Sequence, residues 1–133
     1  GAPELDWPVE GPVTSGYGRR GRRHHDGIDI QAPHGTEVRA AADGVVYFEG
    51  ALRGYGRLII LVHGDGFATV YAHNALHYVR EGMRVRRGQR IATVGRSGRT
   101  TGRVLHFEVR QNDVAYDPLV VLPSADRRLA RGE

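Results

Sequence analysis

The sequence predicts an all-β domain in which compact antiparallel sheets pack face to face. Three observations predict it. Its apolar residues come in short runs of strand length, bounded by turn-forming residues. Nineteen glycines punctuate the 133 residues at fairly regular intervals, which suits many tight connections. Sustained helical periodicity is scarce, so sheets must supply the core.

Taken in order, the candidate strands are Val13–Ser15, Gly27–Ile30, Val38–Ala40 and Gly44–Glu49, then Leu58–His63, Phe67–His73, Arg90–Val94 and Val104–Arg110. Leu58–Val62 is apolar at every position and reads as a central strand buried on both faces. Gly64-Asp65-Gly66 follows as a turn, which makes Leu58–His73 a β-hairpin. Gly35-Thr36-Glu37-Val38 and Gly82-Met83-Arg84-Val85 echo one another, a phrasing that fits sheet-on-sheet packing with short links. The opening Gly-Ala-Pro reads as a cloning scar on a domain taken from a longer protein. The expected division is a scar or linker over 1–6, a domain over 7–123, and a polar, frayed or helical tail over 124–133.

Composition excludes several chemistries. All 19 basic side chains are arginine, so there is no lysine for a Schiff base, a lipoyl or biotinyl attachment, or a phosphate-binding P-loop. With no cysteine there is no disulfide, thiolate nucleophile or cysteine-based zinc finger. A metal site must therefore use His, Asp and Glu. The net charge of +4 suits an anionic partner. A nucleic acid is not expected, because the arginines lack interleaved aromatics and no nucleic-acid motif is present. No apolar run reaches the ~20 residues of a membrane-spanning helix.

Three settings among the seven histidines carry candidate chemistry. His25 and Asp29 are four apart in a segment that Gly27, Ile28 and Ile30 turn away from helix. On a straight strand they would lie ~13 Å apart, so both can reach one ion only if the chain bends, and Gly27 is the natural hinge. A polar loop entering a strand accounts for the same residues. In Leu105–Arg110, alternation sends Leu105, Phe107 and Val109 to the core and Val104, His106 and Glu108 to the other face. His106 is then held in a fixed direction, as a metal ligand is, although a histidine on the polar face of an ordinary sheet looks the same. Thr69, Tyr71 and His73 share one face at the hairpin end, where His73 suits a general acid or base, an anion stabiliser, or a solvent-exposed strand end. Together the three settings suggest two histidines and one aspartate around zinc, a set that leaves a coordination position open as hydrolytic sites do.

Further segments accompany these: Trp-Pro-Val at 7–9, Ser-Gly-Tyr-Gly at 15–18, His-Asp-Gly-Ile-Asp-Ile at 25–30 and Ala-Pro-His-Gly-Thr at 32–36. Ala-Asp-Gly-Val-Val at 42–46, His-Gly-Asp-Gly at 63–66, Tyr-Ala-His at 71–73, Gly-Gln-Arg-Ile-Ala at 88–92 and Leu-His-Phe-Glu-Val-Arg at 105–110 complete the series. In this order they resemble the lysostaphin/LytM family of zinc metallopeptidases, which cut peptide bonds in bacterial peptidoglycan. The likeness runs from about Trp7 to Pro123. It implies a β-sandwich-like domain with a groove at one end, one zinc ion held by His25, Asp29 and His106, and a catalytic role for His73. His24, His34, His63 and His77 match no family ligand and are read as structural or exposed.

One position departs from the pattern. The family's second catalytic histidine falls on Val104, in Gly102-Arg103-Val104-Leu105-His106-Phe107. Valine neither moves a proton nor donates to an oxyanion, losses of about 10²–10⁴-fold and 10²–10³-fold in rate that do not simply multiply. The expectation is a zinc-binding domain of the bacterial cell envelope, catalytically weakened or inactive, that serves as a regulator such as an activator of cell-wall hydrolases. The alternative is an active zinc endopeptidase cleaving peptidoglycan cross-links, with His24, His34, Arg103 or Glu108 replacing the missing imidazole. Expected partners are peptidoglycan peptide stems or a cell-wall hydrolase. The resemblance places the domain outside the cytoplasm, in the periplasm or cell wall. Loops around Arg19–His24, Ala51–Tyr55, His73–Arg80 and Arg96–Arg103 should wall the groove, their arginines suited to the carboxylates of peptide stems.

Overall fold

The computed structural model describes residues 4–100 and 102–124. Strands follow the apolar segments: β1 (Val13–Ser15), β2 (Gly18–Arg20), β3 (Arg23–His25), β4 (Ile28–Gln31), β5 (Glu37–Arg39), β6 (Gly44–Leu52) and β7 (Gly56–Gly64). They continue with β8 (Phe67–Ala72), β9 (Asn74–His77), β10 (Arg84–Val85), β11 (Arg90–Val94), β12 (Val104–Gln111) and β13 (Val114–Tyr116). No α-helix occurs among the described residues, and Pro118–Val120 forms a single 3₁₀ turn.

The large sheet runs β1-β4-β12-β8-β7-β6-β10, with β13 paired to the far end of β12, and every pairing is antiparallel. A second sheet, β5-β11-β9, packs against its inner face, and β2-β3 is a separate hairpin. The core between the sheets holds Ile28, Ile30, Ile59, Leu61, Tyr71, Leu105, Phe107 and Val109 from one side and Val38, Ile91 and Val94 from the other. A fully buried Ile, Leu or Phe here is worth about 1.5–3 kcal/mol relative to exposure. The domain is thus all-β and two-layered, as the glycine-punctuated pattern predicts.

A directional chain of hydrogen bonds crosses this core. The Ala41 amide donates to the Tyr71 oxygen (2.9 Å), Tyr71 to Thr69 Oγ1 (2.8 Å), Thr69 to His63 Nε2 (2.7 Å), and His63 Nδ1 to the Asp43 carbonyl (2.7 Å). Burial pushes the Tyr71 phenol up to about 12 and the His63 imidazole below its ordinary range.

Three expectations need adjustment. β7 is not buried on both faces. Ile59 and Leu61 enter the core, whereas Leu58 sits in a smaller outer cluster with Val70 and Ala72, and Val62 is 36% exposed. The second layer covers only the inner face of the sheet. Residues 4–6, expected in a linker, join the domain: Leu5 is buried in the core and the Asp6 amide bonds to the Ala41 carbonyl (2.8 Å). Trp7 Nε1 donates to the Pro123 carbonyl (2.8 Å), bringing together the two ends of the expected domain. Thr69 and Tyr71 share the inner face, but β8 ends at Ala72 and His73 does not continue the alternation. Residues 125–133 of the expected tail and residues 1–3 lie outside the described residues.

Candidate metal centre

The site is built where β4 meets β12. Asp29 pairs directly with His106 in antiparallel register, so the two side chains stand on one face of the sheet. Asp29 Oδ1 is 2.8 Å from His106 Nδ1. His25 ends β3, and the chain then bends through Asp26-Gly27 into β4. The bend brings His25 Nε2 to 3.4 Å from Asp29 Oδ1, across a gap that a straight strand would hold open. Gly27 permits this because it lies against β12, where a Cβ would stand 2.2 Å from the Phe107 carbonyl oxygen.

Each of the three side chains offers a donor atom, and these lie within 4.8 Å of one another. Both imidazoles are tied through their other nitrogen. His25 Nδ1 donates to the Gly16 carbonyl (2.8 Å), and His106 Nε2 donates to Glu108 Oε2 (2.7 Å). That leaves His25 Nε2 and His106 Nδ1 facing Asp29, the arrangement in which an outer partner fixes a metal-binding histidine. A two-histidine, one-carboxylate donor set fits zinc. Burial opposes charge on His106, but the hydrogen bonds it donates to Asp29 and Glu108, with their negative charges, overcome it and raise the imidazole to about 9. Both carboxyls are in turn held below their ordinary range, against the effect of burial.

Glu108 is the hub of the outer layer. It is 1% exposed, and its Oε2 also accepts from the Tyr55 hydroxyl (3.0 Å) while Oε1 accepts from Arg110 Nε (2.7 Å). Arg110 Nη2 reaches Asp26 Oδ2 at 3.4 Å. Burial and the Glu108 charge push the Tyr55 phenol up to about 12, so it remains a hydrogen-bond donor.

His73 arrives by a different route. At φ 66 its backbone is left-handed, and this turns the ring out of the strand alternation to 5.9 Å from the His106 ring. Its amide donates to the Tyr55 carbonyl (3.0 Å) and its Nδ1 to the Ser97 carbonyl (2.7 Å), which leaves Nε2 free. Burial holds this imidazole below its ordinary range, favouring the neutral form.

The residues considered as replacements for the missing histidine lie elsewhere or are engaged. Val104 pairs with Gln31, one strand alternation before His106. His24 bonds Asp26 (3.0 Å) and packs edge-on against Tyr17, and His34 is exposed. Arg103 lines a separate hollow with Pro12, Gln31 and Pro33, and Glu108 is committed to its three partners. His63 and His77 are structural, the latter donating to Glu49 Oε2 (2.8 Å) and accepting from Asn74 Nδ2 (3.1 Å).

His25, Asp29, His73 and His106 line one open groove of roughly 530 Å³. Its walls come from the β2-β3 hairpin, the β6-β7 turn and the loop after β11, where Arg20, Arg23, Arg53, Arg99 and Tyr55 stand. Of the expected His73–Arg80 wall only His73 contributes, because β9 turns away into the second sheet. Tyr55 and Glu108 also border a neighbouring apolar trough floored by Leu58, Ile60 and Val70. The loop ending at Tyr55 was expected as a groove wall, but the bond from Tyr55 to Glu108 and the hub role of Glu108 were not anticipated. Glu108 was placed on the correct face, but nothing in Gly54-Tyr55-Gly56 marks Tyr55 as its hydrogen-bond partner.

A two-layer β domain with two histidines and an aspartate converging beside a third histidine has the make-up of a metallopeptidase domain. The chain belongs to Peptidase family M23, whose profile matches residues 23–118. It is 46% identical over 118 residues to the murein hydrolase activator NlpD of Escherichia coli K12, a match covering 88% of this chain and 31% of that protein. It is also 46% identical over 105 residues to the DD-carboxypeptidase/endopeptidase Mpg of Neisseria meningitidis serogroup B, covering 78% and 24%. A zinc-containing peptidase from Vibrio cholerae superposes with a TM-score of 0.79 at 33% identity, over 84% of this chain and 37% of that one. The chain thus spans about a third or less of these two curated relatives. Family M23 is zinc-dependent.

Proposed function

We propose that this chain is a zinc-binding M23 domain of the bacterial cell envelope that works at peptidoglycan as a regulator of cell-wall hydrolases, with its own catalysis weakened or absent. One observation carries the reading: the metal-ligand set is complete while Val104 occupies the family's second catalytic histidine position. His25, Asp29 and His106 would hold one zinc ion. The metal supplies Lewis acidity toward a peptide carbonyl when bound. His73 presents a neutral Nε2 to the groove, fixed by Ser97, and is the one histidine placed to move a proton. Val104 pairs with Gln31 one alternation before His106 and offers no imidazole, so a bound peptide meets half of a catalytic pair. Likeness to a murein hydrolase activator supports the regulatory reading, and likeness to the outer membrane antigenic lipoprotein B of Haemophilus influenzae supports the envelope location.

The test combines three measurements on the purified protein. Metal analysis should find one zinc per chain, lost in His25→Ala. Cross-linked peptidoglycan should be hydrolysed little or not at all, whereas a cell-wall hydrolase should be stimulated on adding the domain. Robust zinc-dependent cleavage abolished by His73→Ala would instead establish the second reading, an active endopeptidase, which the intact His73 setting and the likeness to Mpg favour.

A further inference from the structure

Four arginines surround the candidate metal position without a carboxylate to satisfy them. Arg20 and Arg23 face each other across the β2-β3 hairpin, in register. Arg53 lies in the β6-β7 turn and Arg99 in the loop after β11, and the Arg99 amide donates to the Gly54 carbonyl (3.0 Å), which ties these two segments together. Arg20 is anchored by Gly16, its Nη2 donating to that carbonyl at 2.6 Å. Among the described residues none of the four forms an ion pair, and the side chains of Arg23, Arg53 and Arg99 form no hydrogen bond.

Carboxylates do share the groove, yet each is engaged. Asp26 is bonded by His24 and Arg110, Asp29 by His106, and Glu108 by His106, Tyr55 and Arg110. Elsewhere on the surface, Arg39 and Arg90 pair with Glu37 and Arg87 approaches Asp6, whereas Arg57, Arg80, Arg84, Arg86, Arg96 and Arg103 form no ion pair among the described residues but lie outside this groove. Four guanidiniums without a carboxylate partner thus line the groove in which a peptide would lie. Guanidinium pairs with carboxylate through two parallel hydrogen bonds, and such pairs gain strength in a partly enclosed groove.

We infer that the groove selects peptides by a free carboxylate, held by Arg53 and Arg99 with Arg20 and Arg23 completing the cationic rim. The ligand class is a short peptide with an exposed α-carboxylate or acidic side chain. This deepens the reading of the groove as a peptidoglycan-peptide site and rests on it. The arginines, and not the metal, supply the selectivity.

N-acetyl-dialanine and its C-terminal amide are suitable probes, titrated against the zinc-loaded domain and followed by amide chemical shifts in NMR. The free acid should bind at least tenfold more tightly than the amide, and the difference should shrink as salt is raised. Arg53→Gln combined with Arg99→Gln should reduce the acid to the level of the amide, while Arg84→Gln, remote on β10, should change nothing. The preference should persist in metal-free His106→Ala. Equal binding of acid and amide would overturn the inference, as would a preference indifferent to the double substitution or present only with zinc. Inorganic phosphate binding as tightly as the free acid would overturn the assignment to peptides. Zinc content, measured separately, reports on the metal centre alone, so its failure is distinguishable from failure of the arginine rim.

Discussion

Glu108 Oε2 stands 2.7 Å from His106 Nε2, and Asp29 Oδ1 stands 2.8 Å from Nδ1 of the same ring. One carboxylate therefore fixes the tautomer and the other shares the metal-facing side. Glu108 gains this role because residues 106 and 108 point to the same face of β12, with Tyr55 and Arg110 locking its own rotamer.

Glu108→Gln should weaken zinc binding about 10–100-fold, the usual effect of removing an outer partner of a metal-bound histidine. Competition against a chromogenic chelator measures it. Tyr55→Phe removes one of three bonds to the same carboxylate and should cost less. Thermal unfolding of both metal-free variants separates a positioning effect from a folding defect, since only the former leaves the transition unchanged while zinc affinity falls.

Val104→His should create peptidoglycan hydrolysis where the parent has little, by about 10²-fold or more, a modest share of what positioned proton transfer contributes. Zinc content should not change, because residue 104 lies one alternation from His106 and pairs with Gln31, not Asp29. Release of soluble peptides from cross-linked peptidoglycan is the readout. No gain, with zinc and fold intact, would place the defect in the groove walls and not at position 104.

The geometry behind these variants was only partly visible in the amino-acid pattern. Alternation in Leu105–Arg110 placed Leu105, Phe107 and Val109 inside and His106 and Glu108 outside, because a regular strand has a period of two. Gly27 was legible as a hinge for the same reason: only a bend brings His25 to Asp29. The His73 position broke that logic. Alternation extends the Thr69–Tyr71 face to His73, but a left-handed residue at 73 turns the ring to the other side, and no local residue type announces it. The β2-β3 hairpin was invisible as strands because Arg19–Arg23 offers no apolar face. The β12-β13 hairpin was legible in principle, since Asn112-Asp113, both left-handed, is a favoured two-residue turn.

Acid should destabilise the domain before its carboxylates titrate. Burial lowers the imidazoles of His63, His77 and His73. As pH falls below about 6.5 the unfolded chain takes up protons that the folded state refuses, so stability declines. In the metal-free domain His106, raised to about 9, opposes this slope near pH 7, where only the folded state holds its proton, and adds none near pH 5, so the fall is carried by the lower part of the window. Denaturation midpoints should fall between pH 7 and 5, and His77→Gln should show a shallower fall because one of the three depressed groups is gone. A flat profile in the parent protein would contradict the neutral state of the His63 and His77 networks.

The loop that holds His73 depends on two glycines packed face to face. A Cβ on Gly98 would lie 2.3 Å from the Gly56 amide nitrogen, and one on Gly56 would lie 2.3 Å from the Ser97 carbonyl carbon. Both residues also have positive φ, at 76 and 67. Ser97 is clamped between them, accepting from the Arg57 amide (3.0 Å) and donating to the Asn74 carbonyl (2.7 Å), while its own carbonyl receives His73 Nδ1. Gly98→Ala must therefore either push the loop away from the β6-β7 turn or strain it, at a cost above about 1 kcal/mol. The expected result is a lower unfolding midpoint together with a changed ¹⁵N shift of His73 Nδ1, as its carbonyl acceptor moves. Ser97→Ala keeps the carbonyl and should leave the His73 signal in place while lowering stability only by its two lost bonds. If Gly98→Ala destabilised the fold without disturbing His73, the clamp would be structural alone and the ring would owe its direction to the left-handed backbone.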